Sequence, residues 1–123
     1  MNYTLGISKN GRYLICRVNS LVTLEVAREF TMALDQLSRD RRVKRFLVDV
    51  RGAPNVANPF QNYGFANKDM AGLDLQRDVR SAILVDPADH SHDFVETVTQ
   101  NAGYGVRKFT DEGAAIAWLE ALD

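Results

Sequence analysis

Between Asp86 and Asp93 the chain reads Asp86-Pro87-Ala88-Asp89-His90-Ser91-His92-Asp93. Asp86, Asp89, His90, His92 and Asp93 can each ligate a metal or move a proton, and all fall in one short stretch. Carboxylates and imidazoles supply zinc sites and general acid–base pairs. The spacing, however, matches no zinc or di-metal pattern, and Asp, Ser and Pro are also what a capped helix start requires. The stretch therefore reads first as a loop entering a helix capped by Ser91. Its second reading is a metal-dependent or acid–base centre.

Other chemistries lack their frames. Ser81 and Ser91 stand outside any G-x-S-x-G turn, so no strained nucleophile elbow is present. Cys16 falls mid-strand with nothing nearby in sequence to lower its pKa, and reads as a small core residue. A phosphate cradle needs a glycine-rich turn after a strand, whereas Asp49-Val50-Arg51-Gly52-Ala53-Pro54 offers one glycine and Gly103-Tyr104-Gly105 precedes its strand. A response-regulator receiver would carry an acidic pair after its first strand, where Ser8 and Lys9 stand, so Asp49 alone is no phosphoacceptor. The basic run Arg39, Arg41, Arg42, Lys44 and Arg45 suits a solvated helix C-terminus, where the backbone dipole favours cations, better than an anion site.

These residues are positioned by an alternation of strands and helices. Tyr3–Ser8 and Tyr13–Val18 alternate like strands around Lys9-Asn10-Gly11-Arg12, and Asn-Gly supplies the positive φ angles of a tight hairpin. Leu14, Cys16 and Val18 share one face of the second strand. From the N-cap Thr23, Leu24, Ala27, Phe30, Leu34 and Leu37 mark one face of a helix running to about Arg39. Phe46–Val50, nearly continuous in apolar residues, predicts a central parallel strand covered on both faces. Arg80–Val85 and Gly105–Phe109 predict two more. Asp49 and Asp86 then lie near strand C-terminal ends, where open α/β sheets place ligands.

Two helices follow the later strands. One has Phe94, Val95, Val98 and Ala102 inward and ends at Gly103. The other is capped by Thr110, with Ala114, Ala117, Trp118 and Leu122 inward and Trp118 in the core or at its rim. Between 52 and 77 a loop and a weakly anchored helix are expected, with Pro59 at its first position and Phe60, Tyr63 and Met70 on one face, opposite Phe65.

Composition narrows the class. At 123 residues the chain suits one domain, and 15 basic against 16 acidic residues leave no net field for nucleic acid or an anionic membrane. No integral membrane segment, cofactor or metal is called for. A single cysteine and the absence of a signal-like start at Met1–Lys9 point to a cytoplasmic setting.

The order hairpin, helix, strand, helix, strand, helix, strand, helix, with Leu47-Val48-Asp49-Val50-Arg51-Gly52 at its centre, resembles the SpoIIAA-like (STAS-like) domains. The stretch Arg80-Ser81-Ala82-Ile83-Leu84-Val85 and the ending Val106-Arg107-Lys108-Phe109-Thr110-Asp111-Glu112-Gly113-Ala114-Ala115-Ile116-Ala117-Trp118-Leu119 carry it further, toward the bacterial stand-alone branch related to the CRAL-TRIO fold. The resemblance implies an α/β domain with a mixed, mostly parallel sheet of about five strands and about four helices. Anti-sigma-factor antagonists of this group carry a phosphorylatable serine in an Asp-Ser-Ser-Gly turn after the central strand. Here Asn58 and Pro59 hold the two serine positions, so that switch is not expected. What it implies instead is a non-enzymatic regulatory or binding domain for a protein partner or a small amphipathic, lipid-like ligand. Its candidate residues are Asp49, Arg51, Gly52, Asn58, Phe60, Tyr63 and Phe65. The alternatives are the enzyme built on Asp86–Asp93 and a structural homodimer.

Overall fold

The computed structural model describes residues 2–121. Its chain order is β1 (Tyr3–Ile7), β2 (Leu14–Val18), α1 (Leu24–Arg41), β3 (Arg45–Asp49), α2 (Pro59–Gly64), a π-helix (Phe65–Asp69), α3 (Met70–Gly72), β4 (Arg80–Leu84), α4 (Asp93–Asn101), β5 (Gly105–Phe109) and α5 (Glu112–Glu120). With α2, the π-helix and α3 forming one continuous rod, this is an α/β fold of five strands and four helical units, as the sequence predicts.

The strands lie in chain order, β1-β2-β3-β4-β5, with the first pair antiparallel and the rest parallel. Successive parallel crossovers stepping in one direction, each right-handed, must leave their helices on one face. That face carries α1, the 59–72 rod and α4 over Leu14, Cys16, Val18, Phe46, Val48 and Val50. The other face is covered, among the described residues, by α5, through Ala115 and Leu119 on Leu47, Ala82 and Leu84. Cys16 is fully buried, and burial pushes its thiol up to about 12, so it is an inert core residue.

The hairpin forms where expected, but its turn differs. Gly11 N donates to Ser8 O and Ser8 N to Tyr13 O, and within the turn only Gly11 takes a positive φ, +73°. Helix α1 starts at Thr23, whose hydroxyl accepts from Val26 N, and runs two residues beyond expectation to a left-handed cap at Arg42. Three residues of the basic run meet partners within the chain. Arg39 pairs with Asp35, Lys44 with Asp78, and Arg45 reaches from β3 to the carbonyls of Leu119 and Ala121. Arg80, its neighbour in register on β4, does the same to Trp118 and Ala121, so two cations cap the C-terminal end of α5.

Four helix readings need correction. Ser91 does not cap α4; His92 holds that position without a side-chain cap bond, and Phe94 is 42% exposed while Val98 and Thr99 are buried. Asp111, not Thr110, caps α5, accepting from Ala114 N. The buried face of α5 is accordingly Ala115 and Leu119, with Ala114 and Ala117 exposed and Trp118 half-buried against Phe109. Leu122, expected on that face, lies outside the described residues.

The largest departure is in the 59–72 rod. Phe60 and Tyr63 are 86% and 58% exposed, while Phe65 and Met70 are both buried. The cause is the π-helix: Met70 N donates to Phe65 O, five residues back, so one extra residue sits in that turn. Phe65 and Met70 thereby fall on one face, and the 3.6-residue stripe of Phe60, Tyr63 and Met70 is broken. A deletion tests this. Removing the exposed Asn67 converts the π turn to an α turn with Phe65 and Met70 still aligned, and should change stability by less than about 1 kcal/mol. Removing exposed Gln36 from regular α1 rotates buried Leu34 against buried Ser38 and should cost several times more. Equal damage in the two, read from denaturant midpoints, would refute the register argument.

Candidate functional site

The C-terminal ends of β3 and β4 carry a polar knot. Asp49 is buried and accepts from Arg51 N (3.1 Å), Arg51 Nε (3.0 Å), Arg51 Nη2 (2.8 Å) and Arg17 Nη1 (2.8 Å). Burial opposes the charge on this carboxyl, but the hydrogen bonds from Arg51 and the charges of Arg51 and Arg17 outweigh it and hold the pKa below the ordinary carboxylate value. Arg51 also reaches Glu112 at 3.3 Å. After it Gly52 turns the chain at φ +72°, with Ala53 N returning to Val50 O. Gly52 N donates to Asp86 Oδ2 at 2.8 Å, which ties the end of β3 to the end of β4. Asp49, Arg51 and Gly52 are thus together at the strand ends, and they hold one another.

The Asp86–Asp93 loop divides rather than converges. Asp89 accepts from Ser91 N, and the Ser91 hydroxyl accepts from Asn55 N. His92 is buried with Nε2 3.0 Å from Ala53 O, whereas the His90 side chain is 75% exposed and meets Asp93. Asp93 also pairs with Lys108. Among the described residues no group of three or more His, Cys, Asp or Glu side chains is placed to hold a metal ion. The loop's bonds run to Gly52, Ala53 and Asn55, so it works as the clasp that holds the segment after β3.

Asn58 caps α2 in a capping box: its side chain accepts from Gln61 N, while Gln61 Oε1 accepts from Asn58 N. Pro59 follows at the first helical position, as the sequence indicates. Phe60 and Tyr63 face outward. Phe65 turns inward, where it helps to roof a cavity of about 130 Å³.

This cavity lies between the helix-bearing face of the sheet and the helices above it. Ser81, Ile83 and Val106 form its floor, Ala27, Phe30 and Leu34 of α1 one wall, and Val95 and Thr99 of α4 the other. Phe65 and Met70 close the top, with Asn55, Asn62 and His92 at the end nearest the clasp. Ser81 leaves room on this floor: it occupies a position in a central strand, paired with Phe46 and Val106, and is smaller than the β-branched residues such strands favour. Of the seven residues singled out from the sequence, only Phe65 lines the cavity. Asn62, Ser81 and Tyr104 escape a reading of periodicity and motifs as lining residues, and His92, read from the sequence as part of the Asp86–Asp93 loop, reaches the cavity through the fold. Only the even spacing of Ser81 and Ile83 in an apolar strand hinted that both face one side.

No known family model matches the chain, and no curated protein is significantly similar to it. No helix among the described residues is long and apolar enough to cross a membrane.

Proposed function

We propose that this chain is a non-enzymatic binding domain of the SpoIIAA-like kind that receives the apolar part of a small amphipathic ligand beneath the 59–72 rod. The observation that carries the reading is the cavity of about 130 Å³ between sheet and helices. A ligand that buries apolar surface in this space and binds only the folded chain stabilises it by mass action. The size of the space suits one ring or a short alkyl segment; a longer chain needs the rod to lift. A regulatory role would follow from that movement, since Phe60 and Tyr63 ride on the rod's outer surface.

Benzene provides the simplest test. Titration of the full chain should give saturable NMR shifts at Ile83, Val95 and Met70 in the wild type. Ser81→Ile, which fills the floor, should abolish them while raising stability by about 1 kcal/mol. Absence of any saturable shift in the wild type would remove the reading.

A second reading, a protein partner, is supported by the 86% exposure of Phe60. If that partner is a second copy, light scattering should show a dimer that Phe60→Ser dissociates at the same protein concentration. A monomeric wild type excludes the homodimer.

A further inference from the structure

The two edges of the sheet differ in how they are closed. On β5, Phe109 O accepts from Val85 N, which turns the odd-numbered residues toward β4 and the even-numbered ones outward. Side chains of α4 occupy those outward groups: Lys108 N donates to Glu96 Oε2 at 2.6 Å, and Val106 O accepts from Gln100 Nε2 at 2.7 Å. Arg107 and Lys108 add charge to the same strand. Covering and charge are the ordinary ways of blunting a free edge.

β1 is an open edge. Tyr3-Thr4-Leu5-Gly6-Ile7 holds no charge and no proline, its register against β2 has no bulge, and among the described residues no strand pairs with its outer side. Hydrogen bonds from Asn19 N to Asn2 O and from Ser8 N to Tyr13 O turn the even-numbered residues toward β2. By the alternation of an antiparallel ladder, the N–H and C=O groups of Tyr3, Leu5 and Ile7 therefore point outward. Their side chains share the helix-bearing face with their partners in register, Val18, Cys16 and Leu14. Cys16 and Leu14 are fully buried, yet Leu5 is 37% and Ile7 45% exposed.

We propose that β1 pairs antiparallel with β1 of a second copy about a two-fold axis through Leu5, joining the two sheets into one. The strand is complementary to itself. The axis sets Leu5 against Leu5 and Tyr3 against Ile7, the residues whose backbone groups point outward, so each opposed pair exchanges two hydrogen bonds. It also brings the Leu5 and Ile7 side chains of both copies together on one face. The same operation on β5 would oppose Arg107 to Arg107. Pairing β1 with β5 would have to displace Glu96 and Gln100, and would leave an open-ended array instead of a closed dimer. One strand pair is a small interface, so the dissociation constant should be on the order of 10 µM. This dimer involves neither the cavity nor Phe60.

The experiment is light scattering and amide exchange on the full chain from about 1 to about 200 µM, a range that spans that constant. The mass should rise toward twice that of the monomer. Over the same range exchange at Leu5 and Ile7 should slow, while exchange at Thr4 and Gly6, already paired with β2, stays constant. Leu5→Lys should keep the chain monomeric, and Phe60→Ser should leave the dimer unchanged. Should Leu5→Lys fail to fold, cross-linking decides. Opposed Cα atoms about 5.5 Å apart lie within disulfide reach, so Leu5→Cys should join two chains under a mild oxidant, and Thr4→Cys, which is not opposed to itself, should not. A wild type that stays monomeric, a dimer lost in Phe60→Ser, slowing that spares Leu5 and Ile7, or equal cross-linking of the two cysteine variants would each overturn the proposal, and none of them bears on the cavity.

Discussion

Asp49→Ala is expected to lower stability by about 2–3 kcal/mol at neutral pH, seen as a fall in the denaturant midpoint with an unchanged slope. Both ion-pair partners are half in solvent, with side-chain exposures of 54% for Arg17 and 41% for Arg51, so neither Coulomb attraction alone accounts for much of the loss. The larger part comes from the buried acceptor itself. It organises the Arg51 N–H, the turn through Gly52 and, through Gly52 N, the contact with Asp86. Asp49→Asn, which keeps the shape and loses the charge, should fall in between.

The acid limb gives an independent check. Because the folded carboxyl titrates below its unfolded value, its contribution is complete above the unfolded pKa and is lost as pH falls through the folded one. Wild type should therefore lose more stability than Asp49→Asn on acidification below about pH 4. Parallel acid limbs would mean that the carboxylate contributes nothing through its charge. A loss below 1 kcal/mol in Asp49→Ala would mean that the knot re-forms without it.

Gly105→Val is expected to cost on the order of 3 kcal/mol, near the upper end of overpacking effects. A Cβ at this position stands 2.7 Å from the carbonyl oxygen of Val79 and 3.9 Å from Cα of Arg80, the residue that Gly105 faces in register on β4. Those are backbone atoms of a paired strand and cannot turn aside as a side chain would. The β4–β5 ladder must open at its first rung, so amide exchange should accelerate along β5 before it does along β3. Gly64→Ala is the control: it adds a methyl to helical backbone with nothing within 4 Å, and should gain up to about 1 kcal/mol. A Gly105→Val protein as stable as wild type would contradict the close approach.

Strand positions were legible because their signals are local. Gly105–Phe109 appears with the predicted bounds, and the hairpin strands, β3 and β4 lie within a residue or so of theirs. Helix faces were harder to read. Thr110 and Asp111 are both competent caps, and choosing the wrong one rotates the whole of α5, so Ala115 and Leu119 were missed as its buried pair. In the 59–72 rod the assumed 3.6-residue period was itself broken by the π turn, which no residue type announces. What the polar groups hold was not legible for a related reason. Asp49 and the Asp86–Asp93 loop have the residue types of reactive groups, but Asp49 is held by Arg17 and Arg51, and Asp86, Ser91 and His92 bond to Gly52, Asn55 and Ala53.

The sequence by itself determined an α/β alternation, the mixed sheet, an unreactive Cys16 in the core and a polar loop at the strand ends, since hydrophobic period and turn chemistry are properties of neighbouring residues. Only the tertiary structure decided that this loop is a clasp, through Gly52–Asp86, Ala53–His92 and Asn55–Ser91, contacts that span more than thirty residues. It alone decided, too, that Ser81, Phe65 and His92 meet around one cavity. Whether packed elements fill the space between them depends on side-chain volumes from several separate segments, which no local pattern records.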